Sequence, residues 1–174
     1  MQFFKFEDVS AACEYYGQPY TIEERNIANE RLENAIKIYE QYLQENEAKI
    51  GKRLVAFHRK NNFHDFSIEK ISFLTNSSSY KAGKDAIVLL LRGGVTSAGN
   101  SKWKYLEIEL HFEDIRYFFV KRENKRYFQK SYEILFSEIG IQEDGFKFFN
   151  FLACEGDEIN ITYRKIKWNV RELQ

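Results

Sequence analysis

The chain has 174 residues, the size of one domain, and it is long enough to bury a hydrophobic core without disulfide or metal crosslinks. Its 26 basic and 26 acidic residues balance, which argues against wholesale binding of nucleic acid or of an anionic membrane surface. Two cysteines make no disulfide framework, and we expect both to be reduced and buried. With no apolar run near membrane-spanning length and no signal-peptide pattern, the sequence predicts a soluble, cytoplasmic protein.

The first third of the chain has the periodicity of helices. Apolar residues three and four apart predict a short helix within residues 7–16. Thr21 and Glu24 form a capping box, which predicts the start of a long helix over residues 21–49. Gly51 is a plausible end for that helix. Its docked face consists of apolar residues at a 3.6-residue period: Ala28, Leu32, Ala35, Ile36, Tyr39 and Leu43.

After residue 62 the period of the apolar residues changes to two, as in strands. A change of phase near Glu69 and Lys70 predicts a β-bulge. The continuous apolar run 86–91 predicts a central strand covered on both faces. Residues 103–112 alternate cleanly and predict a strand with one wet face, which could continue past a kink. The basic stretch 52–62 fits either a short helix or an extended link.

Helices that precede strands, instead of alternating with them, indicate an α+β fold. We expect N-terminal helices, one of them long, packed on a mostly antiparallel twisted sheet of about six to seven strands. Neither a repeat nor a linker divides the sequence, so a single domain over residues 1–174 is expected. Its helical part would cover residues 1–62 and its β-sheet part residues 63–174.

The adjacent His64 and Asp65 are the first candidates for chemistry. A small-ligand or metal-dependent hydrolytic site around this pair would need His58 and His111 to converge on it, leaving an open metal position. The competing interpretation is that Asp65 caps a strand and His64 makes a local hydrogen bond. We favour the local interpretation, which predicts no catalytic residue, no metal and no cofactor.

Three further patterns carry less information. Residues 94–101 have the glycine spacing of a phosphate loop, but Asn100 stands where lysine is required and a strand follows. Glu107 and Glu109 share a strand face, which is more typical of a solvated surface than of paired acid and base. No local sequence around either cysteine supports a thiol nucleophile.

Charge is segregated along the chain although its sum is zero. The long helix is acidic, whereas residues 116–130 are basic and rich in aromatics. We predict that one of these segments forms a contact surface, since complementary charge accelerates encounter. Stacking of single-stranded nucleic acid on residues 116–130 is the alternative, which the zero net charge disfavours. The candidate binding residues are Glu23, Glu30, Glu33 and Glu40 in the helix, and Arg122, Lys125 and Arg126 in the basic segment.

The order of motifs resembles that of small bacterial families of the polymorphic-toxin immunity type. The resemblance lies in Phe63-His64-Asp65 leading into the strand 67–71, in the strand 106–115 and in the closing strand 156–161. It implies a cytoplasmic, non-enzymatic protein that binds a protein toxin domain and neutralises it. Such families have no catalytic residues, so the resemblance assigns none here.

Overall fold

A computed structural model describes residues 2–12, 20–61, 63–74, 86–96, 103–121, 132–154 and 156–173. In these residues three helices precede six strands, which confirms the α+β class. The helices are α1 (Phe6–Ala12), α2 (Ile22–Ile50) and α3 (Lys52–Asn61), and the strands are β1 (Ser67–Leu74), β2 (Ala86–Thr96), β3 (Trp103–Lys121), β4 (Tyr132–Ile141), β5 (Lys147–Ala153) and β6 (Glu158–Leu173). Across the described ranges, none of the helices combines the length and apolar character that crossing a membrane requires.

The six strands are antiparallel and close into a barrel in the order β1-β2-β3-β6-β5-β4. The sequence predicted a twisted sheet, and its closure is a finding of the structure. The bulge expected near Glu69 is confirmed by a shift of register between Ile68 and Lys70. The expected kink is also present, because β3 continues to Lys121 through Asp114, which has a φ of 59°.

The core lies inside the barrel and follows the predicted alternation. Leu89 of β2 faces Leu110 of β3, and both side chains are fully buried. The expectation of a strand covered on both faces is wrong for the run 86–91. Val88 and Leu90 are only half-buried, so this strand is fully covered on its inner face alone.

The N-terminus of α2 has the predicted capping box, in which the Thr21 hydroxyl accepts a hydrogen bond from the Glu24 amide. Gly51 ends the helix with a φ of 109°, and its N–H donates to the Glu47 carbonyl at 2.8 Å. The next helix, α3, begins one residue later. The undecided stretch 52–62 is therefore helical over its described residues.

Few residues pair where β1 and β4 close the barrel. Only Ser67 and Ile68 of β1 pair with β4 in the described ladder, and the backbone of Ile134 adds two bonds to the preceding turn. Farther along β4, tyrosines of α2 take the place of a partner strand. The Tyr39 hydroxyl accepts from the Ile139 N–H at 2.7 Å and donates to the Ile139 carbonyl at 3.4 Å.

Tyr42 repeats this arrangement one turn later on α2. Its hydroxyl accepts from the Ile141 N–H at 3.0 Å and donates to the Ile141 carbonyl at 3.2 Å. Residues 139 and 141 lie on the same side of the strand, so both pairs of backbone groups would otherwise lack partners. The two hydroxyls therefore satisfy and cover the edge of β4.

Glu138, also in β4, fixes the start of the described chain. Its fully buried carboxylate accepts hydrogen bonds from the backbone N–H groups of Gln2, Phe3 and Phe4 at 2.7–2.9 Å. The Asn150 amide adds a longer bond of 3.5 Å. Three backbone donors around one carboxylate compensate for its removal from water.

Replacing Tyr39 by Phe should test the role of α2 at the β4 edge. The ring would still pack, but the buried N–H and carbonyl of Ile139 would lose their partner. We expect Tyr39→Phe to lower the free energy of unfolding by about 1–3 kcal/mol, measured by urea denaturation. Tyr105→Phe is the matched control, because that ring is 63% exposed and should change stability by under about 0.5 kcal/mol. Equal stability of the two variants would contradict the proposed edge contact.

Glu138→Gln should release the N-terminal segment. In the wild type both carboxylate oxygens of Glu138 accept from backbone N–H groups. The glutamine side chain would place an NH2 group, itself a donor, against one or more of these donors. We therefore expect the Phe3 and Phe4 amides to exchange hydrogen much faster. Hydrogen-exchange mass spectrometry or NMR would measure this. Glu133→Gln, at an exposed position of the same strand, is the control and should leave the exchange of these two amides unchanged.

Candidate functional site

The four glutamates predicted as binding residues all lie on the exposed side of α2. Three of them, Glu23, Glu30 and Glu33, make no ion pair with any described residue. Glu40 differs, because it accepts hydrogen bonds from Arg59 of α3 at 2.8 and 3.1 Å. The acidic surface is therefore concentrated toward the N-terminal half of the helix.

Exposed apolar side chains also lie on α2, where Ile27 and Ile36, nine residues apart, stand on opposite sides of the helix. Ile27 is 43% exposed and Ile36 is 42% exposed. Ile36 was assigned to the docked face of the helix, and this assignment is wrong because it lies at the edge of that face. Ile22 and Ile38 are also exposed, at 75% and 50%. The signal in the sequence was the presence of isoleucines outside the docked face of α2. A narrower definition of that face would have shown them as candidate contact residues.

The basic candidates Arg122, Lys125 and Arg126 lie outside the described residues. At the described start of that segment both cations are engaged. Arg116 pairs with Asp144 and lies 5.1 Å from the centre of the Phe146 ring, and Lys121 lies 3.6 Å from a carboxylate oxygen of Glu158. The exposed Tyr117 and Phe119 stack on each other with ring centres 6.1 Å apart.

The three histidines each have a separate, local environment. His58 is buried and its Nε2 lies 2.9 Å from the Ser137 hydroxyl. The Nδ1 of His64 lies 2.8 Å from its neighbour Asp65, and His111 bonds Glu109 on the outer face of β3. Among the described residues, no three His, Cys, Asp or Glu side chains are placed to hold a metal ion.

The other sequence candidates also have local roles. Glu107 and Glu109 do lie on one face, but Glu107 pairs with Arg92 and Arg171, and the hydrogen bond from Arg92 holds its carboxyl pKa below the usual value. Gly94 belongs to β2, and residues 97–101 lie outside the described chain, as does Cys13. Cys154 is buried in a small cluster on the outer surface of the barrel, beside Val9 and Leu152.

A groove of about 680 Å³ lies between α3 and the ends of three strands. Sequence reasoning missed it because its walls come from distant parts of the chain. One signal was present, since Arg53, Phe57 and Lys60 follow the spacing i, i+4, i+7 of a single helix face. The lining residues are Arg53, Ala56, Phe57, Lys60, Asn61, Val95, Lys104, Leu106, Trp168, Val170 and Glu172.

Burial of His58 should make stability depend on pH. Burial lowers its pKa from 6.5 to about 4, so the folded protein keeps this imidazole neutral where the unfolded chain takes up a proton. Its contribution is present above pH 6.5 and is lost as the pH falls toward 4, by up to about 3 kcal/mol.

His58→Gln, which cannot titrate but can still bond Ser137, should flatten this part of the stability profile. Urea denaturation at several pH values between about 4 and 7 would measure the difference. Tyr105→Phe, which removes no imidazole and changes an exposed side chain, is the control and should keep the wild-type slope. A wild-type slope in His58→Gln would contradict the assignment.

Comparison with protein-family models, with curated proteins and with solved structures finds no match to this chain. Inference about function therefore rests on the geometry of its surfaces.

Proposed function

We propose that this chain is a non-enzymatic binding protein of the immunity type, which recognises a basic protein toxin domain through the exposed surface of α2. One observation carries the proposal: an exposed isoleucine of α2 lies between two glutamates that make no ion pair with any described residue. Glu23 and Glu30 flank Ile27 at spacings of four and three residues, and Ile27 is 43% exposed. Residues at these spacings are neighbours on a helix surface.

This pattern supports protein recognition more than simple solvation. An apolar side chain with charged neighbours matches the anatomy of interaction surfaces, which combine an apolar centre with a polar rim. The acidic rim would accelerate encounter with a basic partner, while Ile27 would contribute apolar contact. The 29 residues of α2 span about 43 Å, which gives ample length for an interface.

The environments of the candidate catalytic groups also support a binding role. His58 is buried against Ser137, and Glu107 is held by two arginines. His64 pairs with Asp65 and packs against the Phe136 ring, and His111 pairs with Glu109, so neither histidine joins a carboxylate to a further polar side chain among the contacts described. An inhibitor that acts by binding a toxin needs no catalytic acid or base.

The proposal predicts that a toxin domain is encoded immediately beside this gene, and the test is complex formation with that domain. We expect a one-to-one complex, loss of toxicity on co-expression, and affinity that weakens with salt. Glu23→Lys/Glu30→Lys should raise the dissociation constant about tenfold or more, measured by calorimetry.

Glu69→Lys/Glu143→Lys is the matched control, since it changes the net charge equally at exposed positions away from α2. It should bind and protect as the wild type does. The proposal fails if the wild type forms no complex with that toxin domain, or if the α2 double variant still protects with unchanged affinity.

A further inference from the structure

The groove beside α3 has an apolar floor that is already organised. Phe57 of α3 stacks on Trp168 of β6, with ring centres 4.5 Å apart and planes inclined by 21°. Phe57 is buried, whereas Trp168 is half-buried and lines the groove together with Leu106. A stacked pair holds both rings in place, so a planar ligand would meet a rigid surface and would not have to order it.

The rim of the groove is cationic. Arg53 and Lys60 lie on α3 seven residues apart, which places them two turns and about 10 Å apart on one face of the helix. Both are exposed, and neither forms an ion pair with the described part of the chain. Lys104 stands on β3, where its Nζ lies 2.8 Å from the Glu172 carboxylate. Three cations therefore share the lining with a single carboxylate.

The volume of the groove, its apolar floor and its cationic rim together indicate one class of ligand. A volume of about 680 Å³ lies within the range of small-molecule sites, which combine apolar walls with a few placed polar groups. We propose that the groove binds a small organic anion that carries a planar apolar portion. The planar portion would lie on Leu106 and Trp168, and the anionic group would bind Arg53 and Lys60. This site is separate from the α2 surface, so it stands or falls independently of the proposed function.

The test compares two fluorescent probes that differ in charge. Anilinonaphthalene sulfonate is an anion that carries a planar naphthalene ring, and phenylnaphthylamine is a closely related uncharged amine. We expect the native protein to bind the sulfonate at one site, and more tightly than the amine. Arg53→Gln/Lys60→Gln should weaken binding of the sulfonate about tenfold or more and leave binding of the amine nearly unchanged.

Two further variants separate charge from location. Lys37→Gln/Lys52→Gln removes the same charge from exposed helix positions outside the groove, and sulfonate binding should stay as in the wild type. Val170→Glu puts a carboxylate on an exposed part of the floor, 43% accessible, and should abolish sulfonate binding without unfolding the protein. Circular dichroism and the thermal midpoint would verify folding of each variant.

Three results would overturn the inference. The first is no binding of the sulfonate at millimolar concentration. The second is equal weakening of both probes by Arg53→Gln/Lys60→Gln, which would mean that the groove does not select for negative charge. The third is undiminished sulfonate binding in folded Val170→Glu, which would place the probe elsewhere on the protein.

Discussion

The edge of β4 is the constraint on which the rest of the structure depends. A strand edge with free N–H and carbonyl groups invites pairing with another chain, and closed sheets remove that hazard. Here β1 closes only the first part of β4, and the hydroxyls of Tyr39 and Tyr42 complete the rest. Side chains of a helix thus do what the backbone of a seventh strand would otherwise do. Because the bonds are directional, they fix the position and the rotation of α2 on the barrel.

Both candidate surfaces follow from that placement. With Tyr39 turned toward β4, Glu23 and Ile27 necessarily face solvent on the other side of the helix. A single residue, Gly51, joins α2 to α3, and the Leu54 N–H donates to its carbonyl at 2.9 Å. Since α3 is held between Trp168 of β6 and Ser137 of β4, the rim of the groove is positioned by the same anchoring.

Local signals in the sequence were sufficient to predict the helices and strands, but not how these elements assemble. The capping box at Thr21 and the alternation in β3 depend on residues a few positions apart, so they could be predicted. Barrel closure and the groove depend on pairs such as Phe57 with Trp168, which no periodicity connects. The stretch 52–62 was ambiguous because the apolar face of its helix is completed by strands that follow much later in the chain. The exposure of Ile36 depends on how much of the α2 surface packs against the rest of the protein, which is again a tertiary property.

The zero net charge of the chain conceals two surfaces of opposite sign that lie on consecutive helices. They meet where Arg59 of α3 bonds Glu40 of α2, so these two charges are already compensated within the molecule. A partner would have to break that pair to use Glu40, whereas Glu23, Glu30 and Glu33 are available without such a cost. Among the four predicted glutamates, Glu40 therefore lies at the boundary between the surfaces, and under the proposed function the attraction of a basic partner would come from the other three.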